Sequence, residues 1–321
     1  MVQAWDSVIS DHLNQVDAVM QESIQSRSAE LTEICAHVIK AGGKRMRPGI
    51  CILSFLAAGG DDPRRIIRTA AAFEMIHNAT LIHDDINDQS EIRRGAVTAH
   101  RKYTVPKALI AGDFLFVQGF RLGGAMDEAI VDAIAEASVA MAESEFTQAD
   151  FEHVPEADEA VYERIIEGKT ARPIEAGARV GSYLAGASAE VMEGMGHFAL
   201  NIGLAFQIAD DILDVEGDKN KTGKRPGIDI MEGKPTLPII YAMQDPVHGP
   251  RIREIFQARD ISDALVDEAL ELIQKTDSLD RCRQRASHLV QEARQGLALL
   301  PPSIYRDSLE ALADYVVVRN H

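Results

Sequence analysis

The stretch that decides the fold is Leu81-Ile82-His83-Asp84-Asp85-Ile86-Asn87-Asp88, in which three carboxylates close a long apolar helical pattern. Residues four apart in a helix differ by only about 40° around its axis, so Asp84 and Asp88 share one face and Asp85 lies beside them. Carboxylates this close repel one another unless a proton or a cation compensates. The stretch therefore predicts a helix that ends in a cation site.

A second copy of this pattern, Asp210-Asp211-Ile212-Leu213-Asp214, also follows an apolar run. A single Asp-Asp pair is more often a solvated helix end. Two copies, each flanked by apolar residues and accompanied by basic motifs, favour a metal site instead. Helical bundles build such sites from facing helices, and we predict that these two clusters face each other.

The rest of the chain has a helical pattern, because Ala, Leu, Ile, Glu and Gln dominate and strand-like alternation is scarce. The pattern predicts one or two helices over residues 3–40, then helices over 48–58, 66–88, 107–123, 127–152, 158–181, 188–215 and 236–243, and antiparallel helices from 251 onward. Residues 89–104 and 217–234 are predicted loops, and Pro173 predicts a kink or a break. No linker separates two cores, so we predict one all-α domain over residues 1–321.

The composition limits the functions open to this chain. Its 321 residues carry 33 Lys and Arg against 50 Asp and Glu, a formal charge of -17. So acidic a chain is unsuited to nucleic-acid binding through bulk electrostatics, and an anionic substrate needs local cations or metal ions. No apolar run approaches the ~20 residues of a transmembrane segment, and the start lacks a signal-peptide pattern. With three scattered cysteines that we expect to be reduced, these features predict a cytoplasmic protein.

Four segments together resemble the trans-isoprenyl diphosphate synthase (polyprenyl synthetase) family. They are Gly42-Gly43-Lys44-Arg45-Met46-Arg47-Pro48, residues 77–95, residues 206–214 and residues 223–238, in family order over most of the chain. The resemblance implies an all-α fold, a single large helical bundle of the isoprenoid synthase type with a central cavity. It also implies a homodimeric prenyltransferase that condenses isopentenyl diphosphate head-to-tail with an allylic diphosphate primer.

The implied reaction begins by breaking a carbon–diphosphate bond, and the leaving group is a multiply charged anion. Mg2+ prefers carboxylate and phosphate oxygens, so two aspartate clusters can clamp the diphosphate through metal ions. By resemblance, the residues that hold Mg2+ on the allylic diphosphate are Asp84, Asp85, Asp88, Asp210, Asp211 and Asp214.

The resemblance also implies roles for residues outside the aspartate motifs. Positions that bind isopentenyl diphosphate are matched by Lys44, Arg47, His77 and Arg94. Further positions around the allylic diphosphate are matched by Arg93, Lys169, Lys224 and Lys234. Positions that offer oxygens to the allylic carbocation are matched by Thr170 and Gln207. Arg172-Pro173 departs from the family pattern, and a buried arginine there would need a partner.

Small residues before the first cluster bear on product length. The fifth and fourth positions before Asp84 are Ala79 and Thr80, which argues against a farnesyl-length stop made by an aromatic side chain. A deeper floor could come from Ile76 with Phe116 or Phe120. By resemblance, we expect a trans-polyprenyl diphosphate of twenty carbons or more, from geranylgeranyl to long-chain polyprenyl.

Three alternatives remain open at the level of sequence. A metal-dependent phosphohydrolase could use His77 with His83 and Asp84, but the second cluster and the basic segment would then have no role. A catalytically silent subunit that binds prenyl diphosphates would normally have lost one aspartate cluster. A terpene cyclase or hydrolase would share the fold and the metal chemistry, but it has no need of the second diphosphate pocket.

Overall fold

The predicted all-α fold is present in the computed structural model, which describes residues 4–124, 127–217 and 225–318. Helices account for 77% of these described residues. No helix among these described residues combines the length and the apolar character that crossing a membrane requires. After a 3-10 turn at Ser7–Ile9, the first helices are α1 (Ser10–Ser23), α2 (Ala29–Lys40), α3 (Met46–Ala57) and α4 (Pro63–Asn87).

The remaining helices follow in chain order. They are α5 (Ala99–Lys102), α6 (Val105–Gly124), α7 (Glu128–Phe151), α8 (Glu159–Ile166), α9 (Arg172–Leu184), α10 (Ala189–Glu216), α11 (Ile228–Met231), α12 (Leu237–Met243), α13 (Gly249–Phe256), α14 (Asp263–Ile273), α15 (Ser278–Gln295) and α16 (Ile304–Val318). A 3-10 turn at Gly296–Leu299 lies between the last two. The helical pattern thus located the main elements, with ends that shift by a few residues.

The predicted polar loop at 89–104 contains a small antiparallel hairpin before α5. Its strands are β1 (Ile92–Arg93) and β2 (Ala96–Val97), with Ile92 opposite Val97. Arg94 and Gly95 between the strands both have positive φ, 53° and 76°. Positive φ at both central residues is what a type I′ turn requires, and this turn commonly joins two strands through a two-residue loop. The hairpin was not predicted, because strands of two residues are too short to show alternation.

The break predicted at Pro173 takes the form of a widened turn. A five-residue π-helical turn, Glu167–Ala171, joins α8 to α9 just before this proline, which cannot donate a backbone hydrogen bond. Arg172 is not buried, because 45% of its side chain is exposed. Its guanidinium group pairs with Glu167 at 2.5 Å and with Glu175 at 2.8 Å. The departure from the family pattern therefore leaves no unpaired buried charge.

The chain forms two compact units. Unit 1 comprises Met1–Glu136, Ala176–Gly196 and Leu299–Ala311, and unit 2 comprises Ala137–Glu175, His197–Ala298 and Leu312–His321. Each boundary between them falls within a helix or a helical turn rather than in a linker. A single domain over residues 1–321 stays a prediction.

In unit 1, α4 packs against α1, α3 and α6. Glycines on α6 make the contact with α4 close. A Cβ atom at Gly112 would lie 2.3 Å from Nε2 of His83, and one at Gly119 would lie 2.6 Å from Cγ1 of Ile76. Because these glycines are seven residues apart, they share one face of α6. The helix that carries the first aspartate motif is thereby held against its neighbour.

In unit 2, the short helix α12 is buried along its whole length. It packs against α8, α13 and α15. The predicted loop before it contains α11 at Ile228–Met231, which the sequence pattern did not reveal. The first part of that loop, residues 218–224, lies outside the described residues.

Candidate active site

The first aspartate motif occupies the end of α4 in unit 1. Asp84 and Asp88 are half-buried, whereas Asp85 is only 6% exposed. Nε of Arg93, on the β-hairpin, donates a hydrogen bond to Oδ1 of Asp85. Burial raises the pKa of Asp85, and the charge and hydrogen bond of Arg93 oppose that shift. The structure thus pairs Arg93 with the motif, while its assignment to the allylic diphosphate stays a prediction.

A cluster of cations lies in the same unit around His77. Desolvation of this half-buried ring lowers its pKa well below the ordinary value, and the charges of Arg47, Arg94, Arg93 and Arg45 lower it further. His77 is therefore neutral at physiological pH. Three of the residues predicted to bind isopentenyl diphosphate, Arg47, His77 and Arg94, are brought together here. The fourth, Lys44, is exposed on the adjoining segment.

The basic segment before α3 has an unusual backbone. Gly42, Gly43 and Arg45 all have positive φ, at 75°, 152° and 49°. A Cβ atom at Gly43 would lie 2.7 Å from Cζ of Arg94, so this guanidinium group rests directly over the glycine. Only glycine leaves room for it.

Arg45 anchors this segment, a role that the sequence did not reveal. Its Nη1 lies 2.7 Å from Oε1 of Glu74, which is 2% exposed, and its Nη2 lies 3.0 Å from Oδ1 of Asp17. A buried carboxylate requires such a charged partner. Arg45 stands inside a motif that the sequence did mark, but nothing in the sequence marks Glu74 or Asp17 as its partners.

The second aspartate motif lies near the end of α10, and in unit 2 a chain of hydrogen bonds leads to it. Oη of Tyr162 donates to Oδ2 of Asp211 at 2.6 Å, and Nε2 of Gln207 donates to Oδ1 at 2.8 Å. Oγ1 of Thr170 donates to Oε1 of Gln207 at 2.9 Å. Burial raises the pKa of Asp211 to about 7, whereas the hydrogen bonds from Tyr162 and Gln207 act to lower it.

This network changes how Thr170 and Gln207 are understood. The amide oxygen of Gln207, predicted to face the allylic carbocation, accepts a hydrogen bond from Thr170. The hydroxyl oxygen of Thr170 retains its capacity as an acceptor. The network links both residues to Asp211, and their role toward the carbocation stays a prediction. Tyr162 was missed, because only its position eight residues before Thr170 connects it with the site in the sequence.

Asp214 holds the segment that follows the second motif. Its Oδ1 accepts a hydrogen bond from the backbone N–H of Ile228 at 3.2 Å, and its Oδ2 accepts one from that of Asp229 at 3.1 Å. Desolvation raises the pKa of Asp229 well above its usual range, and the charges of Asp214 and Asp211 raise it further. Asp229 is thus a fourth carboxylate near the second motif. It lies within residues 223–238, so the family resemblance could have indicated it.

Two of the three lysines predicted to bind the allylic diphosphate are paired with glutamates. Nζ of Lys169 lies 2.6 Å from Oε1 of Glu145, and Nζ of Lys234 lies 2.7 Å from Oε2 of Glu232. Lys169 and Thr170 both lie on the π-helical turn, a feature often found at functional sites. Lys224 lies outside the described residues.

The aspartates suit a hard divalent cation that binds together with a phosphate ligand. Within residues 4–124, 127–217 and 225–318, no three His, Cys, Asp or Glu side chains form a ready-made metal site. Mg2+ is commonly held by one or two carboxylates together with substrate phosphates rather than by a cage of protein ligands. Half-buried Asp84, Asp88 and Asp210 offer oxygen ligands of that kind.

Comparison with known proteins connects this geometry to a family. The model of the family described as Polyprenyl synthetase matches residues 28–273. An all-trans-nonaprenyl-diphosphate synthase (geranyl-diphosphate specific) from Rhodobacter capsulatus is 38% identical over 297 residues, 92% of this chain and 90% of that protein. A geranylgeranyl pyrophosphate synthase from Geoglobus acetivorans is 34% identical over 321 residues, 98% of this chain and 99% of that protein.

A solved structure extends the similarity to the fold. The polyprenyl synthase from Caulobacter crescentus CB15, complexed with calcium and isoprenyl diphosphate, matches with a TM-score of 0.94 and 34% identity, covering 100% of this chain and 98% of that one. The chain therefore belongs to the polyprenyl synthetase family. It is a prenyltransferase of isoprenoid biosynthesis with the all-α isoprenoid synthase fold. The resemblance, the fold class and the enzyme class drawn from the sequence are confirmed.

Proposed function

We propose that this prenyltransferase condenses isopentenyl diphosphate with an allylic diphosphate in a reaction that requires Mg2+. The observation that carries the proposal is the cationic cluster of unit 1. In this cluster the charges of Arg47 and Arg94 lower the pKa of His77. In a chain of formal charge -17, such a concentration of guanidinium groups suits a multiply charged anion. A cyclase or a hydrolase would have no use for this second diphosphate pocket.

The aspartate motifs are assigned to the allylic diphosphate. Mg2+ bound by Asp84 and Asp88 of the first motif, or by Asp210 of the second, would neutralise the charge that develops as the diphosphate departs. The calcium in the Caulobacter structure supports a divalent ion for this family. The two motifs are completed by Asp85, Asp211 and Asp214, which accept hydrogen bonds from protein donors. Lys169, Lys234, Lys224 and Arg93 supply positive charge around the same diphosphate.

The product is proposed to have twenty carbons or more. Ala79 is fully buried and Thr80 half-buried, and neither is bulky enough to stop a growing chain at fifteen carbons. The relatives named above are geranylgeranyl and nonaprenyl synthases, which supports this range. Ile76 packs over Gly119, and the rings of Phe116 and Phe120 lie 5.1 Å apart on the same helix, so these side chains are candidates for the floor.

The active form is proposed to be a cytoplasmic homodimer. One face of α6 carries exposed apolar side chains that a monomer would leave in water: Leu109 is 47% exposed, Ile110 57% and Val117 63%. Large exposed apolar residues grouped on one helix face are typical of subunit contacts. A second copy of this chain is the proposed occupant.

Incubation with labelled isopentenyl diphosphate tests the function directly. Purified protein is given Mg2+ and allylic primers of several lengths, and the products are sized by chromatography. We expect elongation that stops when the metal is chelated, and products of at least twenty carbons. Hydrolysis or cyclisation of the primer without elongation would overturn the proposal, and a product of only fifteen carbons would overturn the proposed length.

A further inference from the structure

The second aspartate of each motif differs from the other two. Asp85 and Asp211 are 6% and 4% exposed, whereas the first and last aspartates of both motifs are half-buried. Each of these two buried carboxylates accepts a hydrogen bond from a side chain outside its motif, Arg93 for Asp85 and Tyr162 for Asp211. The second aspartate of each motif is thus a buried carboxylate that accepts a side-chain hydrogen bond from outside the motif.

Tyr162 is well placed for such a role. Its side chain is 2% exposed on α8, and its hydroxyl lies 2.6 Å from Oδ2 of Asp211. The phenol hydroxyl carries the proton of this hydrogen bond, and the carboxylate oxygen accepts it. Buried polar side chains in proteins are hydrogen-bonded, and Asp211 is the partner of this buried hydroxyl.

The two oxygens of Asp211 are held from two directions. Gln207 donates to the oxygen that Tyr162 does not reach, and Gln207 is itself held by Thr170 on the π-helical turn. Tyr162 and Thr170 lie at opposite ends of one short segment, α8 and the turn that follows it. That segment therefore contacts the carboxylate twice, directly and through Gln207, which restrains its rotation.

We propose that Tyr162 is a positioning residue of the active site, which together with Gln207 holds the Asp211 carboxylate in the orientation that the aspartate motif needs to bind metal and diphosphate. This inference rests on the proposed function and deepens it. Tyr162 itself contacts neither substrate nor metal in this scheme. Its effect is transmitted through Asp211.

The test compares Tyr162→Phe with the wild-type enzyme. Residues that orient metal ligands typically change metal affinity or activity by about 10- to 100-fold when they are replaced. We expect the Mg2+ concentration for half-maximal elongation to rise by that factor, with an unchanged Michaelis constant for isopentenyl diphosphate. Calorimetric binding of inorganic pyrophosphate in the presence of Mg2+, which needs no turnover, should weaken in parallel.

Tyr183→Phe is the matched control, because Oη of Tyr183 also donates to an aspartate, Asp127, at 2.9 Å, but at an exposed site. It should behave as wild type in both measurements. A Tyr162→Phe enzyme that binds Mg2+ and pyrophosphate as wild type does would overturn the inference. So would a loss of isopentenyl diphosphate affinity equal to the loss of metal affinity, since that indicates general damage to the fold.

The two proposals fail in different ways. If the wild-type protein elongates no primer but Tyr162→Phe still weakens pyrophosphate binding, the proposed function is wrong and the positioning role stands. If Tyr162→Phe does not fold, as judged by thermal unfolding, Gln207→Met removes the donor to the other oxygen of Asp211. Unchanged pyrophosphate binding in that variant would overturn the inference in the same way.

Discussion

Asp84 and Asp210 begin the two aspartate motifs, and each is half-buried within its own unit. Replacing either with alanine removes a proposed oxygen ligand for the cation that would stabilise the departing diphosphate. We expect the elongation rate to fall by about 100-fold or more, the loss typical of removing one group that stabilises transition-state charge. Circular dichroism should show an intact helical fold. Asp61→Ala, an exposed carboxylate before α4, is the control, and near-full activity of either motif variant would refute the metal clamp.

Thr80 bears on product length. It is half-buried on α4, four residues before Asp84. In Thr80→Phe, the added ring should block the growing chain, so chromatography should show shorter products than wild type at a comparable consumption of primer. Leu81→Phe is the control, because the next position points about 100° further around the helix. A tunnel along the face of α4 that carries Thr80 would be contradicted if both variants shortened the product equally, or if neither variant shortened it.

The lowered pKa of His77 predicts that the stability of the protein depends on pH. Its pKa in the folded protein lies well below the ordinary value, so the unfolded chain takes up a proton below about pH 6.5 that the native state does not. Protonation then favours unfolding, and wild type should lose stability relative to His77→Gln as pH falls from about 7 to about 5. Urea unfolding at several pH values measures the difference. His288→Gln, at an exposed position on α15, is the control, and a constant difference between wild type and His77→Gln would show that His77 has no such effect.

At the scale of elements, the glycines of α6 are decisive for packing. A Cβ atom at Gly119 would lie 2.6 Å from Cγ1 of Ile76 and 3.1 Å from the carbonyl oxygen of Ala72. Gly119→Ala should therefore destabilise the protein, because overpacking costs about 1–3 kcal/mol, more than the ~1 kcal/mol that alanine adds to helix propensity.

Urea unfolding of Gly119→Ala tests this, with Gly124→Ala as its counterpart on the same helix. Among the described residues, a Cβ atom at Gly124 would meet only Cγ2 of Val131 at 3.5 Å, an ordinary contact, so this variant should be neutral or slightly stabilised. Stabilisation of both variants would mean that α4 and α6 can move apart at little cost.

The elements also show what periodicity can and cannot predict. Long helices such as α4 and α10 were predicted because their apolar faces repeat over many turns. The hairpin at Ile92–Arg93 and Ala96–Val97 was not, since its turn is formed by Arg94 and Gly95 rather than by the common Asn-Gly pair. Pro173 marked a break, but only the structure shows that the break is a π-helical turn carrying Lys169 and Thr170.

For the whole molecule, the exposed apolar face of α6 predicts a dimer. Ile110→Asp places a charge in the middle of that face and should shift the protein toward monomer, because burying an unpaired charge is costly. Light scattering coupled to size-exclusion chromatography measures the mass. Val247→Asp changes an apolar residue that is 74% exposed and does not belong to α6, so it should leave the mass unchanged. A dimer that persists in Ile110→Asp would place the contact elsewhere.

Sequence motifs predicted the aspartates and the basic segment of the candidate site, but they did not predict the side chains that hold these residues in place. The aspartates and the basic segment are local patterns in the chain. The partners that hold them are distant, because 49 residues separate Tyr162 from Asp211 and 29 separate Arg45 from Glu74. No periodicity links residues so far apart, and their meeting depends on how helices and loops pack.

By itself, the sequence determined that the chain is helical, that Asp84 and Asp88 share a helix face, and that the chain resembles the prenyl synthases. These properties follow from helical geometry and from motifs contained within short segments. Only the tertiary structure decided that Asp85 pairs with Arg93, that Asp211 is held by Tyr162 and Gln207, and that the Arg94 guanidinium group lies over Gly43. Each of these contacts buries a charge or a polar group, and the partner that satisfies it is chosen by packing in space rather than by position along the chain.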